Sequence, residues 1–330
     1  MIKVAFFDAK AYDKPSFERY GSEHDMQFRF LETKLNEDTV ELARGCDAVC
    51  VFVNDTVNAA AIDKLYAMGV KLIALRSAGY NNVDVQAAFG KIHVVHVPAY
   101  SPYAVAEHAI ALLLTSVRRI HKAYNRTREF NFSLNGLTGF DFHGKTVGVI
   151  GTGRIGRTVL QHLSGFGCRL LAYDLYPNAE VKKIAEYVPL ETLLAESDVI
   201  TLHTNATEEN HHLIDAKAIE TMKPGVTIIN TARGKLIDSD ALIAGLESGK
   251  IGAAGLDVLE NENGLYYYNR MGDVIPNPEL AALRSMPNVI LTDHTAFYTH
   301  EDVESMVRGV LESAVAFEKG QPTRHDVTDL

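Results

Sequence analysis

Short apolar runs alternate with amphipathic stretches along almost the whole chain. The runs have the length of buried strands, and the stretches between them have the periodicity of helices. This alternation predicts parallel sheets whose strands are joined by helices. Ten strands are predicted, at residues 4–7, 48–53, 72–75, 93–97, 147–150, 170–173, 199–203, 227–230, 253–257 and 289–292.

Two helical segments mark the passages between two predicted domains. Ser101 is a good N-cap and Pro102 suits the first helical position of a segment that runs to about residue 120. A last helix at residues 301–318 is expected to return to the first domain. A hinge and a ligand cleft between the domains are therefore expected. We predict an α/β fold of two doubly wound parallel-sheet domains, a substrate domain at 1–100 and 299–330 and an inserted nucleotide domain at 101–298.

A glycine-rich turn follows the first strand of the nucleotide domain. The order of strand, Gly151-x-Gly153-x-x-Gly156 and helix is the signature of a dinucleotide site. Gly151 permits the tight turn, Gly153 lets the backbone approach a pyrophosphate, and Gly156 lets helix and strand pack closely. Backbone amides at the helix start, at Arg154 and Ile155, are expected to bind the phosphates.

An acidic residue ends the next predicted strand. Asp174 lies 18 residues after Gly156, close to the roughly 20 expected at such a site. Its carboxylate can accept hydrogen bonds from both ribose hydroxyls of NAD and would repel the 2′-phosphate of NADP. The sequence therefore predicts NAD as the cofactor. Further residues near strand ends are expected to line the cofactor site: His203, Thr204, Thr231 and Asp257.

Three polar residues lie at or just beyond the carboxyl ends of other predicted strands. Taken alone, Arg233 is explained by a surface ion pair, Glu262 by a solvated loop and His294 by a hydrogen-bonded strand end. Ligands of open parallel sheets bind at this edge. Because all three residues fall there beside a dinucleotide motif, we interpret them as candidate catalytic residues.

Composition excludes several other classes of protein. The formal net charge of −10 argues against a nucleic-acid partner, and the apolar stretch at residues 109–114 is too short to span a membrane. The N-terminus reads as a strand and shows no signal peptide. An odd set of three cysteines, Cys46, Cys50 and Cys168, predicts no disulfide framework and no metal site, and a cytoplasmic setting. His211 and His212 are interpreted as surface residues.

Several long strings resemble the D-2-hydroxyacid dehydrogenases, most closely their fermentative D-lactate dehydrogenase branch. These strings lie at residues 73–84, 97–107, 131–140, 230–234, 257–262 and 293–297, in addition to the glycine motif. The resemblance covers nearly the whole chain. It implies a Rossmann-type NAD domain inserted in a flavodoxin-like substrate domain, a small 2-oxo acid as substrate, and a homo-oligomer.

The same resemblance implies roles for the candidate residues. Arg233 is the substrate-binding arginine, whose planar fork can grip a carboxylate and a neighbouring ketone. His294 is the proton donor, and Glu262 is the acid that favours its protonated form. Asp257 modulates this pair or simply ends its strand. Further substrate contacts are assigned by resemblance to Phe52, Ala78, Gly79, Tyr100 and Phe297.

The identity of the substrate stays open at this point. Phe52 would crowd the side-chain pocket and favour pyruvate, whereas phenylpyruvate, 2-oxoisocaproate or 2-oxoglutarate are the alternatives. A non-catalytic NAD-sensing protein, similar to corepressors of this fold, is opposed by the intact candidate residues. Two features depart from the family: the run 202–207 lacks a proline, and residues 264–269 are unusually aromatic, which indicates a local cluster or an oligomer contact.

Overall fold

The computed structural model describes residues 1–97, 101–262, 264–321 and 326–328. The chain forms two compact units. Unit 1 comprises Met1–Ser101 and Tyr298–Leu330, and unit 2 comprises Pro102–Phe297. The sequence predicts a substrate domain at 1–100 and 299–330 and a nucleotide domain at 101–298.

Unit 1 contains a five-stranded parallel sheet. Its elements before residue 101 are β1 (Ile2–Phe6), α1 (Asp13–Glu23), β2 (Met26–Phe30), β3 (Ala48–Val51), α2 (Ala59–Ala67), β4 (Leu72–Leu75), α3 (Val85–Ala88) and β5 (His93–Val95). The strand order β2-β1-β3-β4-β5 is that of flavodoxin-like folds. The sequence predicts four of these strands and misses β2, because this edge strand alternates between buried and exposed residues and contains no continuous apolar run.

Unit 2 contains a seven-stranded parallel sheet. Its elements are α4 (Pro102–Arg118), α5 (Ile120–Arg128), β6 (Thr146–Ile150), α6 (Arg154–Leu163), β7 (Arg169–Tyr173), β8 (Glu186–Tyr187), α7 (Leu190–Glu196), β9 (Val199–Leu202), α8 (Ala216–Thr221), β10 (Val226–Asn230), α9 (Ser239–Glu247), β11 (Ile251–Leu256), α10 (Pro278–Ser285) and β12 (Val289–Leu291). Counted from β6, the order β12-β11-β10-β9-β6-β7-β8 is the nucleotide-binding order with one added strand. The prediction of six strands omits β8, a two-residue edge strand.

Both faces of the unit 2 sheet are covered by apolar side chains, so its central strands β6, β9 and β10 are buried at every position. Helix α4 covers one face with Ala109, Leu112 and Leu113. It packs closely because β11 carries Gly255, where an added Cβ would lie 3.1 Å from the Leu112 Cβ. The helix ends at Arg118, before the predicted residue 120, because Arg119 adopts a left-handed conformation with φ of 54°. Since all strands are parallel, their carboxyl ends share one edge.

The last helix, α11 (His300–Glu318), belongs to unit 1 and packs against α1 and β4. Thr299 caps it by accepting a hydrogen bond from the amide of Asp302, at 3.2 Å. Its core-facing stripe contains Val307, Val310 and Leu311. Within the described residues, none of the helices combines the length and the apolar character needed to cross a membrane.

Candidate active site

The glycine-rich turn of unit 2 has the shape of a phosphate cradle. Gly151 has a φ of 90°, and an added Cβ there would lie 2.6 Å from the carbonyl oxygen of His203. A Cβ on Gly156 would collide with the carbonyl oxygen of Gly151. By contrast, a Cβ on Gly153 would meet nothing within 4 Å, so this exposed glycine leaves open space in front of the α6 N-terminus. The turn therefore suits a pyrophosphate approached by backbone amides, including those of Arg154 and Ile155.

The predicted ribose-binding acid lies directly beside this turn. Asp174 follows β7 and is half-buried. Its Oδ2 accepts hydrogen bonds from the amide and the hydroxyl of Thr152, at 2.6 and 3.0 Å, and its Oδ1 accepts one from the amide of Tyr176 at 2.8 Å. These bonds hold the carboxylate against the glycine turn, where it keeps lone pairs for a ribose hydroxyl.

Two buried polar atoms mark the ends of the neighbouring strands β9 and β10. His203 Nδ1 and Thr231 Oγ1 are buried and have no hydrogen-bond partner among the described residues. Burial lowers the pKa of His203 to about 3, so the ring is neutral, and its Nε2 bonds with the hydroxyl of Thr201 at 2.8 Å. Unpaired buried polar groups are rare and require explanation. Together with the open glycine turn, these two atoms fit a polar ligand of dinucleotide type, while the expected contact of Thr204 stays a prediction.

The structure brings two of the three candidate catalytic residues into direct contact. Glu262 Oε1 lies 2.9 Å from His294 Nδ1. The other oxygen of Glu262 accepts a hydrogen bond from the amide of Leu259 at 2.9 Å. Both side chains are about one quarter exposed, at 24% and 25%, so the pair is only partly shielded from water. The carboxylate thus faces one ring nitrogen and leaves Nε2 as the nitrogen that can exchange a proton with a ligand.

The backbone of His294 is held in an unusual conformation. Its φ of 57° lies in the left-handed region, which is uncommon for residues other than glycine. Its amide donates to the carbonyl of Asp257 at 2.9 Å, and its own carbonyl accepts from the Tyr267 hydroxyl at 3.1 Å. Such a conformation persists only where the surroundings determine it. The two hydrogen bonds therefore help to fix the direction in which the imidazole points.

The segment at residues 264–269, for which the sequence indicates no definite role, supplies part of these surroundings. The rings of Tyr266 and Tyr267 lie 6.5 and 6.1 Å from that of His294, and Tyr266 meets it edge-on. Phe297 lies 6.4 Å from Tyr267 and is buried. The aromatic run thus forms a local cluster around the histidine. Of the two alternatives that the sequence left open, a local cluster fits these contacts, whereas the contact with His294 was not predicted because no periodic pattern connects the two segments.

Asp257 holds the loop that carries His294. The carboxylate is fully buried and accepts hydrogen bonds from the Thr292 hydroxyl at 2.6 Å and from the amides of Thr295 and Ala296 at 2.9 Å. Burial by itself would raise the pKa of Asp257, but the hydrogen bonds, led by that from His108, outweigh it and hold the pKa below its ordinary value. Of the two roles considered for Asp257, positioning of the histidine loop fits these contacts, and its expected contact with cofactor stays a prediction.

Arg233 lies three residues beyond the end of β10 and is exposed. Its Nη1 donates to the carbonyl of Ala232 at 2.6 Å, and Asn230 braces its backbone carbonyl at 2.9 Å. The next residue must be glycine, because a Cβ on Gly234 would collide with the carbonyl group of Leu259. This close approach places the Arg233 backbone beside the segment that leads to Glu262. The guanidinium thus contacts its own loop.

Phe52, a candidate substrate residue of unit 1, packs against the buried side chain of Arg76, which the sequence analysis did not single out. The Arg76 guanidinium lies over the rings of Phe6 and Phe52, at 4.4 and 4.7 Å from their centroids. It donates to the carbonyls of Phe7 and Asp8. Phe52 is buried at 5% exposure. In the sequence, the only sign of this contact between Arg76 and Phe52 is an arginine that directly follows the apolar strand β4.

Ala78 and Gly79 lie just beyond Arg76 in a braced turn. The carbonyl of Ala78 contacts His96 Nδ1 at 2.8 Å, and that of Gly79 accepts from the Ser77 hydroxyl at 2.8 Å. A Cβ on Gly79 would meet nothing within 4 Å, so the turn leaves room for a group to approach its backbone. Tyr100, the remaining candidate, lies outside the described residues.

Comparison with known proteins agrees with this geometry. Residues 110–296 match the model of the D-isomer specific 2-hydroxyacid dehydrogenase NAD binding domain. The chain is 49% identical to a D-lactate dehydrogenase of Escherichia coli over 97% of its length and 98% of the relative's. The apo-structure of D-lactate dehydrogenase from Escherichia coli has a TM-score of 0.91 at 46% identity and covers 99% of this chain and all of that one.

A second solved structure is similarly close. The pyruvate reductase of Chlamydomonas reinhardtii has a TM-score of 0.93 at 40% identity, covering 98% of both chains. The matched NAD binding domain shows NAD as the cofactor, and the ribose contact of Asp174 stays a prediction. With its fold, its dinucleotide motif and its paired histidine and glutamate, the chain belongs to the family of D-isomer specific 2-hydroxyacid dehydrogenases.

Proposed function

We propose that this protein is an NAD-dependent D-lactate dehydrogenase that reduces pyruvate to D-lactate. The observation that carries the proposal is the contact between Glu262 and His294 at 2.9 Å, held by Asp257 and the aromatic cluster. Relatives that act on pyruvate or lactate by name, at 40–49% identity over almost the full length, support the choice of substrate.

In the proposed reaction, the bound nicotinamide supplies a hydride to the carbonyl carbon. His294 gives the proton on Nε2 to the carbonyl oxygen, because Nδ1 is occupied by Glu262. The Glu262 carboxylate faces Nδ1 at 2.9 Å and keeps the orientation of the imidazole. Arg233 binds the substrate carboxylate through its planar fork, which a single charge does not reproduce.

The other assignments of binding residues are part of the same proposal. Gly151, Gly153 and Gly156 bind the pyrophosphate, and Asp174 binds the adenosine ribose. Phe52, supported by Arg76, limits the size of the substrate side chain. Ala78 and Gly79 offer backbone amides to the carboxylate of the substrate.

A panel of 2-oxo acids tests the proposal directly. Pyruvate, phenylpyruvate, 2-oxoisocaproate and 2-oxoglutarate are compared by kcat/KM with NADH and with NADPH, and the product is resolved on a chiral column. We expect pyruvate and NADH to give the highest value, with D-lactate as the product. A higher kcat/KM for a larger acid would instead identify the protein as a 2-hydroxyacid dehydrogenase of the same family that prefers the larger substrate. Tight NAD binding without NADH oxidation would favour the NAD-sensing alternative, which the intact histidine and glutamate pair opposes.

We also propose that the protein acts as a homo-oligomer in the cytoplasm. The family resemblance supports an oligomer, and the three free cysteines, of which Cys46 and Cys50 are buried, suit a reducing compartment. Light scattering of the purified protein tests the first part, with a mass above that of one 36.3 kDa chain as the expected result.

A further inference from the structure

Three metal-ligating side chains meet outside the residues assigned to catalysis. His211 and His212 follow β9, and Glu260 follows β11. One ligand atom from each lies within 4.8 Å of the others. His212 Nε2 is 2.7 Å from Glu260 Oε1. We call these residues the His–His–Glu cluster. The sequence predicts both histidines at the surface and no metal site; in the structure His211 is exposed, whereas His212 and Glu260 are partly buried.

The two histidines lie on the same side of the chain although they are adjacent. Consecutive side chains of an extended segment point to opposite sides. Here His212 has a φ of 53°, in the left-handed region, and the two rings stack with centroids 3.9 Å apart and planes at 28°. A left-handed conformation is unfavourable for residues other than glycine, so it persists only where the surroundings maintain it. The amide of His212, which donates to the Lys235 carbonyl at 2.9 Å, helps to maintain this conformation.

The third ligand is also held in place. Glu260 Oε2 accepts a hydrogen bond from the amide of Ser239 at 3.1 Å, at the start of α9. Its Oε1 remains directed at His212. Asp238 adds a further carboxylate oxygen 3.7 Å from His212 Nδ1, so negative charge surrounds the imidazole on two sides. The cluster therefore joins segments that follow β9 and β11, and the segment after β10 supports it through Asp238 and Ser239.

We propose that the His–His–Glu cluster binds a divalent transition metal of the nickel or copper type, with water in the remaining positions. Two imidazoles and one carboxylate form a donor set for such ions, and affinity for a given set rises toward nickel and copper. With metal–nitrogen distances of about 2.0–2.1 Å, neighbouring nitrogens lie about 2.9 Å apart at a right angle and about 3.4 Å apart in a tetrahedron. Because an imidazole binds a metal through the lone pair in its ring plane, the exposed His211 ring turns out of the stack when both rings bind one ion.

Titration of the full-length, tag-free protein with Ni²⁺ tests this site by calorimetry. We expect one Ni²⁺ per chain with a dissociation constant in the micromolar range. His211→Phe keeps a ring to stack on His212 and removes both nitrogens, and Glu260→Gln keeps an oxygen and removes the charge. Each variant should bind at least tenfold more weakly. His24→Phe, the same change at an exposed histidine of unit 1, should bind as the wild type does.

A second readout comes from competition by protons. Histidine must lose its proton to bind a metal, so the affinity should fall when the pH is lowered from neutral toward the ordinary histidine pKa of about 6.5 and below. Equal Ni²⁺ affinity in the wild type, His211→Phe and Glu260→Gln would overturn the proposal, as would the absence of stoichiometric binding in the wild type. Glu260 lies in the loop that carries Glu262, so a change at Glu260 could alter activity without any metal. The readout is therefore metal binding and not activity. Absence of the metal site and absence of dehydrogenase activity remain distinguishable.

Discussion

Glu262→Gln tests the link between the carboxylate and the catalytic histidine. In the wild type, the two oxygens of Glu262 serve His294 Nδ1 and the Leu259 amide, both at 2.9 Å. Glutamine has one acceptor oxygen and no charge. If its oxygen serves the Leu259 amide, its NH₂ group faces His294 and the charge-assisted bond is lost. If its oxygen serves His294, its NH₂ group faces the N–H of Leu259, and two donors oppose each other. Hydrogen bonds to charged groups contribute about 1.5–3 kcal/mol. If this is lost in the transition state, kcat falls about 10- to 150-fold.

The assay is steady-state oxidation of NADH by pyruvate, with kcat and KM measured separately. Glu208→Gln, the same change at an exposed glutamate of unit 2, is the matched control and should have normal kinetics. His294→Ala should cost about 10²–10⁴ in kcat, the usual range for a general acid. If Glu262 acts through His294, adding Glu262→Gln to His294→Ala should cost little more, which a double-mutant cycle measures. A near-normal kcat for Glu262→Gln, or full additivity in the double variant, would refute this reasoning.

Four further substitutions test other parts of the structure. Arg233→Lys should lower kcat/KM for pyruvate by at least about tenfold, because an ammonium cannot reproduce a bidentate contact; an unchanged value would remove the arginine from substrate binding. Phe52→Leu should raise kcat/KM for larger 2-oxo acids relative to pyruvate. If the ratio of the two kcat/KM values is unchanged, Phe52 does not determine substrate specificity. Tyr267→Phe removes the neutral hydrogen bond to the histidine carbonyl, worth about 0.5–1.5 kcal/mol, and should lower kcat about 2- to 10-fold with little change in KM, whereas a change in KM alone would contradict a positioning role. Asp257→Asn tests the pH linkage: because the folded pKa of this carboxyl lies below its ordinary value, its stabilisation is present above about pH 4 and is lost as the pH falls. The difference in Tm between wild type and Asp257→Asn should therefore be largest near neutral pH and narrow in acid, and a difference independent of pH would contradict the assignment.

Local patterns were sufficient for most of the fold. Buried strands such as β3 and β4 are apolar at every position, so continuous runs reveal them from the sequence alone. The edge strands β2 and β8 lack such runs because one side of each is not buried by a neighbouring strand. The end of α4 was misplaced for a similar reason, since nothing in the residue pattern reveals the left-handed conformation of Arg119.

The cofactor motif also belongs to what the sequence determined alone. Its glycines, helix and acidic residue all lie within one strand–helix–strand unit, and the spacing from Gly151 to Asp174 is set by the length of that unit. A Cβ at Gly151 or Gly156 would collide with backbone atoms, so these positions require glycine. The motif can therefore be recognised from the residue types alone. The motif is therefore local and can be recognised without knowing which distant segments pack against it.

The catalytic arrangement was decided only by the tertiary structure. Glu262 and His294 are 32 residues apart, and they meet because β11 and β12 are neighbours whose carboxyl ends share one edge. The support from Asp257, the tyrosine ring beside the imidazole and the burial of Arg76 depend equally on segments with no periodic relation. Residue types and spacing determine elements through local sterics and burial, whereas the contacts between strand-end loops follow from strand order and loop conformation, which only the folded chain defines.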